Sequence, residues 1–221
     1  KNILAFGDLL HRIHPLAGQG FNMTIRDIKI LIEIIKSNLT ETLRVNDESA
    51  IDIKFMNGLE SASNLLIDTF QNKGKVLLAG NGGSAADAQH IAAEFMGRLN
   101  FDRDPLPAIA LTANTSNITC IANDYGYDYI FSRQANALAH ENDSVIVYST
   151  SGKSQNILKL IKEIRPKVKH IIALTGIYTD ELTKYSDVVL SVNSNKTTRV
   201  QEIHAIAGHI MCECVEDTLF G

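Results

Sequence analysis

Cysteine is scarce in this chain and poorly placed for cross-linking. Among 221 residues only Cys120, Cys212 and Cys214 carry a thiol, an odd number with neither a disulfide framework nor zinc spacing, which favours a reducing compartment. Long apolar runs are missing too, since no stretch approaches the roughly 18 residues a membrane-spanning helix requires. The opening KNILAFGDLLHRIHP lacks the long uninterrupted apolar segment of a signal peptide. A cytoplasmic protein with no membrane partner is the expectation. There is no basic block or arginine-rich arm either, and 25 acidic against 21 basic residues leave a formal charge of -4, so nucleic acid is not an expected partner. What the chain does have is 45% hydrophobic residues, enough for one good core and an extension.

Residues 1–27 read as a strand, a turn and the start of a helix. From 28 to about 43, IKILIEIIKSNLTETL sets apolar residues three and four apart, as an amphipathic helix does. NDESAIDIKFMNGLESASNLLIDTFQNKG supplies one or two further helices ending at Gly74. The pattern then changes to short apolar runs, KVLLAG (75–80), PAIALT (107–112), SVIVYST (144–150), HIIALTG (170–176) and DVVLSV (187–192), with helical segments between them and a closing helix from 198 to about 218. Five strands of continuous rather than alternating apolarity predict an α/β fold whose parallel sheet is covered on both faces. Ligands of such a sheet gather at the carboxyl ends of its strands.

Two strand-to-helix junctions are suited to a phosphorylated ligand. After the first strand come Asn81, Gly82, Gly83 and Ser84: the glycines permit a tight turn and close backbone approach, and Ser84 can cap the next helix and face an anion. The same residues also make a plain turn and cap. After the third strand, STSGKS places Ser149, Thr150, Ser151 and Ser154 around Gly152. It is neither a nucleotide P-loop nor a GxGxxG turn, but its hydroxyls and the following helix N-terminus can wrap a monophosphate; ordinary turn and capping residues are the alternative.

Two helices carry acid, base and ligand groups. His90 and Glu94 are four apart in AQHIAAEF and share a face, with Asp87 a turn earlier. In the last helix Gln201, Ala205 and His209 recur every four residues. These N and O donors suit a divalent metal, and an imidazole with a carboxylate suits proton transfer near neutral pH. The competing reading is a helix-surface pair and a core histidine. His204, three residues after Gln201, reads as a group behind the ligands or as a surface or subunit-contact residue, Arg199 and Glu202 as a pair across a subunit boundary, and Asn123 and Asp124 as sugar-hydroxyl ligands or a local turn. Cys212 and Cys214 read as buried or half-buried thiols rather than ligands.

The blocks GNGGSAADAQHIAAEFMGR, LTANTSNITCIANDYGYDYIFSRQ, STSGKSQN and TTRVQEIHAIAGHIMCECVE closely resemble the bacterial phosphoheptose isomerase branch of the sugar isomerase (SIS) domain family, over about 50–219. The resemblance implies an SIS-type three-layer α/β/α sandwich and interconversion of D-sedoheptulose 7-phosphate and D-glycero-D-manno-heptose 7-phosphate, the first step toward lipopolysaccharide heptose. It implies Glu94 and His209 as the acid/base pair and a zinc ion, one per subunit, on His90, Glu94, Gln201 and His209. It further implies Ser84, Ser149, Thr150, Ser151 and Ser154 on the phosphate, with Asn81, Gly82, Gly83, Asn123, Asp124 and Gln201 shaping the substrate pocket, and a homotetramer with active sites at subunit boundaries. Lys153 stands where the family often has Asn, adding positive charge beside the phosphate loop; Thr198 occupies a variable position, and LTGIYTDEL lacks the family's LTGKDGG glycine pair. A noncatalytic SIS adaptor resembling the replication-initiator-associating protein is the rival reading, and a sugar-phosphate sensor a third.

A second likeness is confined to about 1–40. GDLLHRIHPLAGQGFNMTIRD resembles the late GD and HPxxGQGxN region of FAD-dependent aromatic hydroxylases of the ubiquinone pathway. The dinucleotide fold on which that piece would lie has no counterpart here, so Asp8 and the turn at 18–20 are not expected to bind FAD. Residues 1–45 are expected to be an extraneous or repurposed extension, and 46–221 the isomerase domain.

Overall fold

The computed structural model describes residues 19–221, with side chains from Ile25 onward. The HPLAG part of the glycine turn, residues 14–18, and the strand expected before it lie outside the described residues, while Gln19 and Gly20, expected in the turn, open a helix. By packing, the chain divides into two compact units, Lys1–Arg44 and Val45–Gly221. The described part of the first is helical.

Helix α1 runs from Gln19 to Ile51, so the NDESAI segment continues it instead of opening a new helix. The break falls at Asp52, whose carboxylate accepts the Lys54 N–H at 2.9 Å and caps helix α2, Ile53–Gln71. Strand β1 (Val76–Gly80) leads into α3 (Gly83–Met96), β2 (Ala108–Ala110) into α4 (Thr115–Tyr125). A short turn of 3-10 helix, Tyr127–Tyr129, precedes α5 (Ser132–Leu138). Then follow β3 (Ser144–Ser149), α6 (Gln155–Ile164), β4 (His170–Thr175), α7 (Asp180–Thr183), β5 (Val188–Ser191) and α8 (Thr197–Phe220).

The five strands form one sheet in the order β2-β1-β3-β4-β5, every neighbouring pair parallel. The predicted strands are present with ends trimmed by one or two residues. Their continuous apolarity has the expected cause. Val76, Leu78, Ile146 and Tyr148 face a core built with α2, α3 and α8, while Leu77, Ala79, Val145 and Val147 face a second core with α5 and α6. Each fully buried Leu or Ile in these layers contributes about 1.5–3 kcal/mol. The result is a three-layer α/β/α sandwich.

Candidate active site

β1 and β3 are adjacent, with Gly80 opposite Tyr148, and the sheet is wound outward in both directions from them. In α/β sheets of this order the crevice beyond the carboxyl ends of those two strands is where ligands bind. Both loops singled out in the sequence open there.

The loop after β1 is shaped by its glycines. Gly82, at φ 57°, is the N-cap of α3 and carries no side chain to cap it. A Cβ on Gly83 would lie 2.5 Å from the Gln201 Nε2, so a larger residue here would push the Gln201 amide aside. Ser84 is not the expected cap: the helix begins one residue earlier, and Ser84 lies within its first turn, 3% exposed. Its hydroxyl lies 3.5 Å from the Gln201 Nε2.

In the loop after β3, the buried Ser149 hydroxyl donates to the Ser154 hydroxyl at 3.2 Å. The Lys153 N–H donates to the Ser151 hydroxyl, also at 3.2 Å, while Thr150 is half-buried and Ser151 exposed. Gly152 turns at φ 63°, and a Cβ there would meet the Tyr178 carbonyl at 2.2 Å. No side chain caps α6 or α3, which leaves both N-termini open to an anion. The Lys153 ammonium lies 4.1 Å from the centroid of the Tyr178 ring, a cation–π contact with a residue whose carbonyl packs on Gly152 of the same loop.

The acid/base residues converge where α3 meets α8. His90 Nε2 is 3.1 Å from Glu94 Oε1 and 3.4 Å from His209 Nε2, and the two imidazoles meet edge to face at 4.9 Å between centroids. One donor atom from each of His90, Glu94 and His209 falls within 4.8 Å of the others. Two imidazoles and a carboxylate with this convergence fit a divalent metal ion of the zinc type. Asp87, a turn before His90, has its Oδ2 buried without a hydrogen bond; burial raises its carboxyl pKa, and His90 pulls the other way. Asn123 and Asp124 hydrogen-bond to each other at 2.8 Å on exposed α4, and Asp124 accepts from Cys120; none of these bonds reaches the cluster.

Two expectations for α8 are corrected. His204 is 1% exposed and packs its ring 5.9 Å from that of Tyr148; burial drives its pKa down to about 4, the Thr175 backbone opposing. α8 packs against both α2 and α3, so it has more than one interior face. Arg199 pairs with Glu202 within the helix, at 2.7 Å and three residues apart, because that spacing already brings them together. Cys212 is buried and Cys214 half-buried, as expected.

Sequence reasoning missed Asn156 and Tyr127, which bond to Asn81, and the Arg103–Glu216 pair. A buried Asn one residue after a helix start and a buried Arg–Glu pair 113 residues apart leave no local pattern.

Residues 49–176 match the SIS domain family, which defines the class of this sheet and its loops. The chain is 46% identical over 187 residues to the phosphoheptose isomerase of Burkholderia pseudomallei, covering 85% of this chain and 95% of that one. The solved phosphoheptose isomerase of Neisseria gonorrhoeae superposes with a TM-score of 0.78 at 38% identity, over 85% of this chain and 99% of that one. That of Francisella tularensis does so at 0.80 and 33%, over 84% and 98%. The chain belongs to the phosphoheptose isomerase family of SIS-domain enzymes.

Proposed function

We propose that this chain interconverts D-sedoheptulose 7-phosphate and D-glycero-D-manno-heptose 7-phosphate, supplying the heptose of lipopolysaccharide in the cytoplasm. The observation that carries the reading is the convergence of His90, Glu94 and His209 where α8 meets α3, the helix that starts at the strand-end crevice into which the hydroxyl loop also opens. Ser149, Thr150, Ser151 and Ser154 would hold the phosphate, with Ser84 at the neighbouring helix start. Gly82, Gly83, Gln201, Asn123 and Asp124 would border the sugar.

The open-chain ketose is isomerised through an enediol. Glu94 takes the proton from C1, the C1–H electrons form the C1=C2 bond, and the C2 oxygen is protonated by His209. The C1 hydroxyl then returns its proton to His209 as the C1 carbonyl forms, and Glu94 delivers its proton to C2. Proton transfer by such a pair is worth typically 100- to 10,000-fold. His90, Glu94, Gln201 and His209 would hold a zinc ion, Gln201 through its amide oxygen. Bound there, zinc would supply polarisation of the carbonyl and hydroxyl oxygens.

A homotetramer with active sites at subunit boundaries is part of the proposal. It is supported by a groove of about 660 Å³ lined by Phe55, Met56, Leu59, Ile203, Ile206 and Ile210, an apolar surface of the kind oligomers cover. Among the described residues no helix is long and apolar enough to cross a membrane.

The test is turnover of sedoheptulose 7-phosphate by the purified protein, with Glu94→Gln and His209→Ala each expected to lower kcat by 100-fold or more. Wild-type turnover with both variants at full rate would remove these two residues from the chemistry; no turnover by the wild type would remove the substrate.

A further inference from the structure

We propose that Asn156 and Tyr127, acting through Asn81, are positioning residues that fix the span between the phosphate loop and the proton-transfer pair, and with it the length of sugar phosphate that reacts. The inference rests on the substrate reading above and concerns residues to which that reading gives no role.

Asn81 is the first residue after β1, and Asn156 is the second residue of α6, just beyond the hydroxyl loop. Their side-chain amides pair reciprocally across the crevice, Asn81 Nδ2 donating to Asn156 Oδ1 at 2.9 Å and Asn156 Nδ2 to Asn81 Oδ1 at 2.8 Å. The Tyr127 hydroxyl donates to the same Asn81 Oδ1 at 3.0 Å. An amide oxygen has two lone pairs, so that of Asn81 is fully used, and one hydrogen of its amide nitrogen is left. Asn81 would therefore shape the sugar pocket, the role the resemblance implies for it, through bonds that go to the protein on both sides of the crevice. Asn156 is 2% exposed, so its half of the pair is shielded from competing water. Tyr127 approaches from the third side. Gly126, at φ 95°, makes the left-handed turn that ends α4 and sends the chain back toward the β1 loop.

The pair bridges the two elements that a substrate must touch at its opposite ends. The phosphate loop, 149–154, leads directly into Asn156. The β1 loop leads from Asn81 into α3, a rigid rod whose residues His90 and Glu94 lie about 10 Å and 16 Å along the axis from Gly83 at 1.5 Å per residue. A change in the separation of the two loops is thus carried to the carboxylate. Misplacement of about 1 Å at a reacting centre costs roughly 100-fold in rate, so a fixed span selects one chain length over a chain one carbon shorter.

The experiment compares sedoheptulose 7-phosphate with fructose 6-phosphate, one carbon shorter, on the full-length wild type, Asn156→Ala and Tyr127→Phe, and measures inhibition by inorganic phosphate. Wild type favours the seven-carbon substrate. Asn156→Ala is expected to lose about 100-fold in kcat on that substrate and to bring the seven-to-six ratio in kcat/KM toward parity, while the phosphate inhibition constant stays within about twofold of wild type, a small change for one weak contact. Tyr127→Phe, at a half-exposed position that cannot unfold the core, is expected to shift the ratio the same way by about two- to tenfold, the worth of one hydrogen bond. An unchanged ratio in both variants overturns the inference, as does loss of phosphate inhibition in step with turnover, the mark of a packing defect. An inactive wild type overturns the substrate reading and this inference together, whereas an active wild type with unchanged ratios overturns the inference alone.

Discussion

Two polar clusters lie along the same pair of helices, α3 and α8, and they are built on opposite terms. At the C-terminal ends, Arg103 Nε donates to Glu216 Oε1 at 2.8 Å with both side chains almost wholly buried. The rest of the guanidinium donates to the carbonyls of Glu94 and Phe95, each at 2.9 Å, which covers orphan carbonyls at the end of α3. Glu216 also accepts the amides of Leu99 at 3.0 Å and Asn100 at 2.7 Å. Burial pushes the Glu216 carboxyl pKa up, but the Asn100 and Leu99 amides and Arg103 outweigh it and hold it below the ordinary value. At the other cluster, His90 is half-exposed, lies 3.1 Å from the Glu94 carboxylate and faces His209 nitrogen to nitrogen at 3.4 Å. Where the fold is anchored, every polar group is paired; where chemistry is proposed, donors converge on a shared point and stay open to a ligand. A fully paired buried cluster holds shape, and a half-exposed convergent one is available for work.

The comparison breaks most sharply at Arg103. Arg103→Ala leaves the buried Glu216 with its two backbone amides but without its counter-charge, which is expected to cost about 3–5 kcal/mol in unfolding free energy, read by urea or thermal denaturation. Replacing both partners, Arg103→Met with Glu216→Leu, is expected to recover much of that loss, because no buried charge remains. A single variant that melts within a degree of wild type would mean that the pair anchors nothing.

How far the sequence could be read follows the same division. The five strands were legible because burial on both faces writes itself as uninterrupted apolar runs, and His90 with Glu94 because four residues make one helical turn. His204 was not legible. Helical spacing puts it a turn before the polar His209 face, but which faces of α8 are interior depends on α2 and α3, which reach it from far along the chain. Asn81 was legible as a loop residue and not as the partner of Asn156, since the link between them exists only once β1 and β3 lie side by side. Ser84 misled because a serine at a helix start usually caps it, whereas Gly82 adopts the left-handed turn that starts the helix earlier.

His204 gives the next largest effect. Its pKa in the folded chain is about 4, against about 6.5 when unfolded, so between those values the unfolded chain binds a proton that the folded one does not. Stability should therefore fall as pH drops from about 6.5 toward 4, by about 2 kcal/mol between pH 7 and pH 5 at 1.36 kcal/mol per unit. Denaturation of wild type and His204→Phe across that range checks it. The variant keeps an aromatic ring against Tyr148 and should lose this part of the pH slope; equal slopes in the two proteins would place the acid sensitivity elsewhere.

The smallest expected change in stability is at the open cluster, and it tests the lesson from the other side. His90→Gln removes one of two facing imidazoles from a half-exposed position on α3, so no buried partner is orphaned and the melting free energy should stay within about 0.5 kcal/mol of wild type. Zinc binding, measured by titration calorimetry on the metal-free protein, should weaken by more than the roughly 10- to 100-fold that outer-shell partners cost, since a direct ligand is lost. A large loss of stability with zinc binding intact would make His90 a structural residue and reverse the contrast with Arg103. The expected result separates the two clusters by what each loses when broken: the paired one loses the fold, and the convergent one loses its ligand.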